Sequence, residues 1–157
     1  MVKTTALASS IGAVLVAGTV GGRFGPQRPD RAVWYARLRK PSYTPPGPVI
    51  GLAWGVLDSL LCVTGYRLLS RPSGPARNIA VGAWGMTLAG LAGYPALFFG
   101  ARSLGGSLTA SAGMLAAAAT ASAAASQVDR TAAAANLPLV GWTAFATLLS
   151  EEVWRRN

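Results

Sequence analysis

The sequence predicts an all-α membrane protein, a bundle of five transmembrane helices with a long ordered loop between the first and the second. Three observations lead to this fold class. Charged residues make up only 12% of the 157-residue chain, about half of their usual share in globular proteins. Long apolar segments recur along the whole chain, and each is close to the ~20 residues that a helix needs to cross a bilayer. The basic residues are concentrated in the connectors between these segments.

Composition also bears on the classes of function that the chain can have. It contains no histidine and one cysteine, which removes histidine-based triads and most metal sites. The net charge of +9 could indicate a soluble protein that binds nucleic acid. We favour membrane topology as the explanation, because the positive charges flank apolar segments. The expected partner is therefore the lipid bilayer, with no nucleic acid, no metal and no required cofactor.

We expect one domain, residues 1–157, whose helices coincide with five apolar segments. These segments are 5–22, 47–69, 79–100, 105–126 and 131–154. The first segment could be a signal peptide, because it follows a lysine and contains small residues, but the later segments need a membrane in any case. The segment 105–126 consists mainly of small residues, which let neighbouring helices approach closely, so we expect it to pack inside the bundle.

Residues 23–46, here called the lid, form the long connector. Its prolines exclude a continuous helix and favour extended geometry in the residues that precede them. The run WYARL at 34–38 can form about one helical turn within it. Because the lid also contains several aromatic residues, we expect it to be ordered and to cover the mouth of the bundle.

The distribution of lysine and arginine predicts the orientation of the chain. Five spans place the N-terminus and the second and fourth connectors on one side, which carries five basic residues: Lys3, Arg67, Arg71, Arg77 and Arg130. The other side carries nine: Arg23, Arg28, Arg31, Arg37, Arg39, Lys40, Arg102, Arg155 and Arg156. The positive-inside rule therefore predicts that the lid and the C-terminus are cytoplasmic and that the N-terminus is outside.

Tryptophans are the main candidates for ligand contact. Trp54 and Trp142 each lie about one to two turns inside an apolar segment. Tryptophan is enriched at membrane interfaces as an anchor, and indoles can also stack on a flat conjugated ligand. For Trp54, which follows the lid, both interpretations stay open. Trp154 stands beside two arginines at a helix end, so we interpret it as an anchor.

Asp58 is the most informative charged residue. A carboxylate inside a membrane span costs about 2.5–3.5 kcal/mol, so it normally faces a cavity or a partner. Asp58 lies four residues after Trp54 and therefore on the same face of the helix. It is either a polar group in the same pocket as Trp54, or an ion-pair partner of an interfacial arginine, or a protonated acid bonded to the backbone.

Small residues recur every four positions in the third apolar segment. Gly85, Ala89 and Gly93 would line one face of a helix, and such a stripe favours close helix–helix packing. The stripe is our candidate interface for a homodimer.

Three stretches of the sequence resemble the TspO/MBR family of tryptophan-rich sensory proteins and translocator proteins. WYARLRKPSYTPPGPVIGLAWGVLDSLL, beginning at Trp34, is similar to the family's lid and second helix. FFGAR at 98–102 is similar to the end of its third helix, and residues 142–147 with 153–157 are similar to its fifth. The resemblance implies a five-helix bundle, commonly dimeric, with a pocket under the first loop. Family members bind porphyrins, animal members also bind cholesterol and benzodiazepine-type drugs, and some bacterial members are reported to degrade porphyrin in light and oxygen.

The resemblance also implies a set of ligand-binding residues. They are Trp34, Tyr43, Pro45, Pro46, Trp54, Asp58, Thr87, Leu91, Tyr94, Trp142 and Ala146. Trp54 and Trp142 fall on the porphyrin-linked tryptophans of the family and are the candidates for any catalytic role. The chain departs from the family pattern at Tyr43, where the family has tryptophan, and at Asp58, where it has tyrosine.

The expected function is that of a membrane receptor or carrier for porphyrin-type tetrapyrroles or similar flat hydrophobic ligands, sterol-like lipids included. A porphyrin or haem-like tetrapyrrole would be a ligand rather than a cofactor. Two alternatives stay open: a photo-oxidative enzyme that degrades porphyrin, and a regulatory membrane subunit with a degenerate pocket.

Overall fold

The computed structural model describes residues 3–157 and contains, in that part of the chain, only helices. The α-helices are α1 (Thr4–Gly22), α2 (Pro29–Arg37), α3 (Gly47–Leu69), α4 (Pro75–Pro95), α5 (Leu104–Ser126) and α6 (Arg130–Arg156). A π-helical turn, Ala96–Gly100, continues α4. Helices α1, α3, α5 and α6 are long and apolar enough to cross a membrane. The predicted all-α class is confirmed, and the fold is that of a helical membrane protein.

The lid contains more regular structure than expected. Helix α2 covers nine residues, whereas the sequence suggested about one turn. Pro29 opens the helix in its first turn, where the missing N–H has no partner to lose. Asp30 lies near the positive N-terminal end of the helix and Arg37 near its negative C-terminal end, so both charges complement the helix dipole. These terminal signals explain how a helix forms between prolines.

The predicted third helix, 79–100, is divided and begins earlier than the apolar pattern does. Gly74 is extended and Pro75 opens α4, so the helix includes polar residues that the apolar pattern omitted. The regular α-helix ends at Pro95, which has no N–H to donate to the carbonyl of Leu91. Beyond it, the Ala101 N–H bonds to the Ala96 carbonyl at 2.8 Å, which defines the π-turn.

The five long helices close a ring in which each packs against two principal neighbours. Its order is α1, α3, α6, α5, α4 and back to α1. Helix α5 therefore lies between α4 and α6, in agreement with its small-residue composition. In the apolar interior, Asn136 of α6 donates to the Ala118 carbonyl at 2.9 Å and to the Ser122 hydroxyl at 3.0 Å. These bonds satisfy a buried amide and tie α6 to α5.

Helices α1, α3 and α4 meet around the buried indole of Trp84. Its Nε1 donates a hydrogen bond to the Leu61 carbonyl at 3.1 Å. The hydroxyl of Ser10, which is fully buried, donates to the Cys62 carbonyl at 2.6 Å. Gly65 leaves the space that the indole and this hydroxyl occupy, because a Cβ at that position would overlap both. The close approach of the three helices thus depends on the absence of a side chain at Gly65.

A cluster of charges holds α3 against α6 at the bundle end away from the lid. Asp129, the N-cap of α6, is buried and pairs with Arg67 at 2.8 Å and with Arg71 at 2.7 Å. It also accepts a bond from the Ala132 N–H at 3.0 Å. Burial alone would raise the pKa of the Asp129 carboxyl, but the hydrogen bonds from the two arginines and the backbone outweigh burial and hold that pKa well below its ordinary value.

Candidate functional site

A cavity of about 480 Å³ lies beneath the lid, and all five long helices, α1, α3, α4, α5 and α6, contribute to its lining. This volume is within the range of about 300–1,000 Å³ that is typical of small-molecule sites. The lining is mainly apolar and aromatic, with glycines of α1 on one side and residues of α6 on the other. A cavity of this composition suits a hydrophobic ligand that makes few polar contacts.

The first aromatic group in the cavity joins α3 to α6. The rings of Trp54 and Trp142 are 6.4 Å apart between centroids and almost perpendicular, at 83°. Phe145 lies 5.8 Å from Trp142 on the same helix. Both indoles are partly buried and both line the cavity. An edge-to-face pair of this kind presents an indole face and an indole edge to the same space.

The second aromatic group lies on the α4 side of the cavity. Tyr94 and Phe98 are stacked, with ring centroids 5.7 Å apart and planes within 9°. The Tyr94 hydroxyl shares a hydrogen bond with the Ser150 hydroxyl at 3.0 Å, which links α4 to α6 across the cavity wall. The π-turn after Pro95 sets the direction of Phe98 and Phe99, so the break in α4 helps to shape the site.

Asp58 lines the cavity one helical turn beyond Trp54. Its Oδ1 atom is buried and has no hydrogen-bond partner within residues 3–157. A Cβ built on Gly18 of α1 would lie 3.9 Å from its Oδ2, so the carboxyl reaches the α1 side of the cavity. No arginine of the described chain pairs with Asp58, and of the three interpretations that the sequence left open the geometry fits the pocket group.

Contacts within the lid order it, and a contact with the end of α6 attaches it to the bundle. The Lys40 ammonium donates to the Tyr35 carbonyl at 2.6 Å and to the Leu38 carbonyl at 3.3 Å, and it lies 4.4 Å from the centre of the Tyr35 ring. Arg39 and Asn157 exchange two hydrogen bonds, of 2.9 and 3.1 Å, between the lid backbone and the side-chain amide. Partial burial raises the pKa of the Tyr35 hydroxyl. The lid is therefore attached to the bundle as an ordered element.

Most of the residues named from the family resemblance line the cavity, and four do not. Those in the lining are Pro45, Trp54, Asp58, Leu91, Tyr94, Trp142 and Ala146. Trp34 instead packs on Phe98 and Phe99 of the π-turn, with centroid distances of 5.3 and 6.4 Å. Tyr43 is half-exposed and lies 6.4 Å from Phe145.

The other two residues outside the lining have local roles in the fold. Pro46 is the N-cap residue of α3 and borders a shallow groove on the lid. Thr87 is buried, and its hydroxyl donates to the Ala83 carbonyl at 3.1 Å. Neither faces the cavity.

Sequence reasoning missed several lining residues that helical periodicity could have found. Phe98 follows Tyr94 by four residues, and Phe145 follows Trp142 by three, so each shares a helix face with a residue that was named. The glycines of α1 gave no such signal. At Gly21 a Cβ would lie 2.6 Å from the Leu91 carbonyl oxygen, so this glycine permits α1 to approach α4 closely.

The sequence led us to expect no metal site in this chain. Within residues 3–157, no group of three or more cysteine or carboxylate side chains is arranged to hold a metal ion.

Gly85 and Gly93 of α4 have open space around their Cβ positions, and Ala89 between them is exposed. This stripe is free to contact another helix, and its role in a homodimer stays a prediction.

Comparison with known proteins relates the whole architecture to one family. The sequence pattern that defines the TspO/MBR family matches residues 10–155. The chain is 39% identical over 127 residues to the human translocator protein, an alignment that covers 79% of this chain and 75% of that protein. It is 34% identical over 146 residues to the bovine translocator protein, covering 88% and 85%. It is 31% identical over 147 residues to protein CrtK of Rhodobacter capsulatus, covering 90% and 86%.

Proposed function

The chain belongs to the TspO/MBR family, and on this premise we propose that it is a membrane receptor or carrier for flat hydrophobic ligands of the porphyrin type. The ligand would occupy the cavity beneath the lid. Two of the relatives carry the name translocator protein, which agrees with a carrier. The lining is apolar and aromatic, and its volume suits a small molecule.

The observation that carries this proposal is the Trp54–Trp142 pair. The two indoles come from the neighbouring helices α3 and α6 and meet at 83°, so a planar ligand can stack on one ring and contact the edge of the other. Phe145, Tyr94 and Phe98 extend the aromatic surface around them. A ligand with a large conjugated face would make contact with several of these rings at once.

Alanine in place of either tryptophan should weaken porphyrin binding about 3- to 10-fold, since an aromatic pair contributes about 0.5–1.5 kcal/mol beyond its buried area. The double variant Trp54→Ala/Trp142→Ala should bind more weakly than either single variant. Purified protein in a neutral detergent would be titrated with protoporphyrin. The fluorescence of the porphyrin itself should be followed, so that loss of an indole does not alter the signal.

Trp154→Ala is the matched control for this experiment. Its indole is half-exposed at the end of α6 and lies outside the cavity lining. Removal of this third indole should leave the affinity close to that of the unaltered protein. Equal affinities for the unaltered protein and the double variant would refute the proposed site.

The proposal extends to the topology. With the π-turn, α4 covers 21 and 5 residues, a rise of about 39 Å, so we include it as a fifth span. Its basic first turn explains why it is less apolar than the others. The positive-inside rule then keeps the lid and the C-terminus in the cytoplasm. Labelling of cysteines introduced at Ser73 and Ala101, which flank α4 and its π-turn, from the same side of the membrane would contradict this arrangement.

A further inference from the structure

The cavity contains a carboxyl group that the fold does not pair. Asp58 is set among apolar and aromatic side chains, and its buried Oδ1 has no donor within the described part of the chain. A buried acceptor without a donor destabilises the fold, and more strongly when it is charged. The next turn of α3 brings Cys62 near it, which is a weak donor at best. A ligand that supplied a donor here would remove this cost.

The other charged side chain that the described structure places in the cavity lining is Lys40, and it is already engaged. Its ammonium donates to the carbonyls of Tyr35 and Leu38 and lies over the Tyr35 ring. Lys40 therefore contributes to the structure of the lid and is held away from Asp58. The carboxyl at the α1 side is the charged group that remains available to a molecule in the cavity.

We propose that Asp58 makes this cavity selective for flat aromatic cations, whose protonated nitrogen donates a hydrogen bond to the Asp58 carboxylate while the aromatic body lies against Trp54 and Trp142. This inference rests on the proposed function, because it uses the same cavity. It adds the class of ligand: an aromatic or heteroaromatic amine that is protonated at neutral pH. Indole faces also attract cations through their quadrupole, so the carboxylate and the aromatic wall favour the same charge.

A metal cation fits the site less well than an amine. Hard cations take six or more oxygen ligands, whereas Asp58 is a single carboxylate with an aromatic wall and the glycines of α1 beside it. An ammonium or a protonated ring nitrogen needs only one strong acceptor and tolerates apolar surroundings for the rest of its molecule. The geometry therefore points to an organic cation.

The test compares two molecules of nearly the same shape. 9-Aminoacridine is protonated at neutral pH, whereas acridine is neutral, and both are flat and tricyclic. Binding to the full chain in a neutral detergent would be measured by equilibrium dialysis, with protein-free micelles as the reference. We expect 9-aminoacridine to bind about tenfold more tightly than acridine, as a charge-assisted hydrogen bond implies.

Asp58→Asn removes the charge and keeps the shape of the side chain. It should lower the affinity for 9-aminoacridine about tenfold and leave acridine binding nearly unchanged. Glu151→Gln is the control for a general effect of charge, because Glu151 pairs with Arg155 at 3.7 Å and lies outside the lining. It should change neither affinity.

Each result decides a separate question. Equal affinities of the unaltered protein for the two acridines would overturn the inference even if Asp58→Asn failed to fold, and so would equal loss of both ligands in a folded Asp58→Asn. If acridine and protoporphyrin still bound and required Trp54, the proposed function would survive that failure. If none of the three molecules bound, the proposed function itself would be wrong.

Discussion

Asp129→Ala should destabilise the folded protein by about 2–4 kcal/mol, the larger of the two stability losses that we expect. A buried ion pair that loses one partner typically costs about 3–5 kcal/mol, and loss of a helix N-cap costs about 1 kcal/mol. The arginines soften the loss because they are partly solvated, with side chains that are 33% and 47% exposed. Thermal unfolding in detergent micelles, followed by the far-ultraviolet helical signal, would measure it.

Asp129→Asn separates the two contributions. The amide oxygen can still cap α6 through the Ala132 N–H, but it no longer attracts Arg67 and Arg71. The loss of folding stability in Asp129→Asn should therefore be smaller than that in Asp129→Ala by about 1 kcal/mol. Equal stability of the alanine variant and the unaltered protein would show that the charge cluster does not hold α3 against α6.

The same cluster predicts how stability depends on pH. The pKa of Asp129 is lower in the folded protein than in the unfolded chain. The stabilisation is therefore complete above the unfolded value of about 4, and it is lost as the pH falls below that value toward the folded pKa. Between neutral pH and about pH 5 the contribution of Asp129 to folding stability should stay constant. Protonation of Asp129 is one cause of the loss of stability in acid. The variant Asp129→Asn lacks this carboxyl, so its stability should fall less as the pH is lowered.

Gly65→Ala should cost about 1–3 kcal/mol, because the new Cβ would overlap the Trp84 indole and the Ser10 hydroxyl. The indole is held by its bond to the Leu61 carbonyl, so it cannot move away without losing a buried hydrogen bond. The change should lower the midpoint of thermal unfolding in the same micelles.

Gly55→Ala, on the same helix, is the matched control. Its Cβ would have no neighbouring atom within 4 Å, so the substitution should be neutral or stabilise α3 slightly. If Gly65→Ala were as stable as Gly55→Ala, the three-helix junction would not require close packing at Trp84.

The second apolar segment was predicted most closely, because its signals are local. The apolar run of 47–69 has the bounds of α3, because Pro48 favours the first turn and Ser70 follows the last apolar residue. The lid was harder to predict. Helix α2 depends on the match between terminal charges and the helix dipole, which the proline count concealed.

Part of the candidate site was predictable because it lies on regular helices. Residues that share a helix face with a tryptophan, such as Asp58 and Ala146, reach the cavity because helical spacing is fixed. Tyr43 and Trp34 belong to the lid, where no periodic rule relates position to direction, and both lie outside the lining. In the charge cluster, Asp129 pairs with Arg71 and Arg67, which precede it by 58 and 62 positions in the chain. Only the tertiary fold could reveal such a pairing.

Asp58 departs from the family pattern, and its surroundings in the structure distinguish between the interpretations of its carboxyl. The sequence left three interpretations of this carboxyl open. In the structure it has no arginine partner and its Oδ1 has no hydrogen bond within residues 3–157, while the cavity gives it access to a ligand. A tyrosine at this position would offer a neutral hydroxyl, which can donate as well as accept, on a bulky ring instead of a carboxylate. The same scaffold can therefore favour a different class of ligand.

The location of a bound porphyrin tests the central proposal most directly. A structure of the full chain determined by cryo-electron microscopy or crystallography with protoporphyrin present would give it. We predict density for the macrocycle against the Trp54–Trp142 pair, beneath the lid and within reach of Tyr94. Density on the lipid-facing surface or in the shallow groove of the lid, with the cavity empty, would contradict the account.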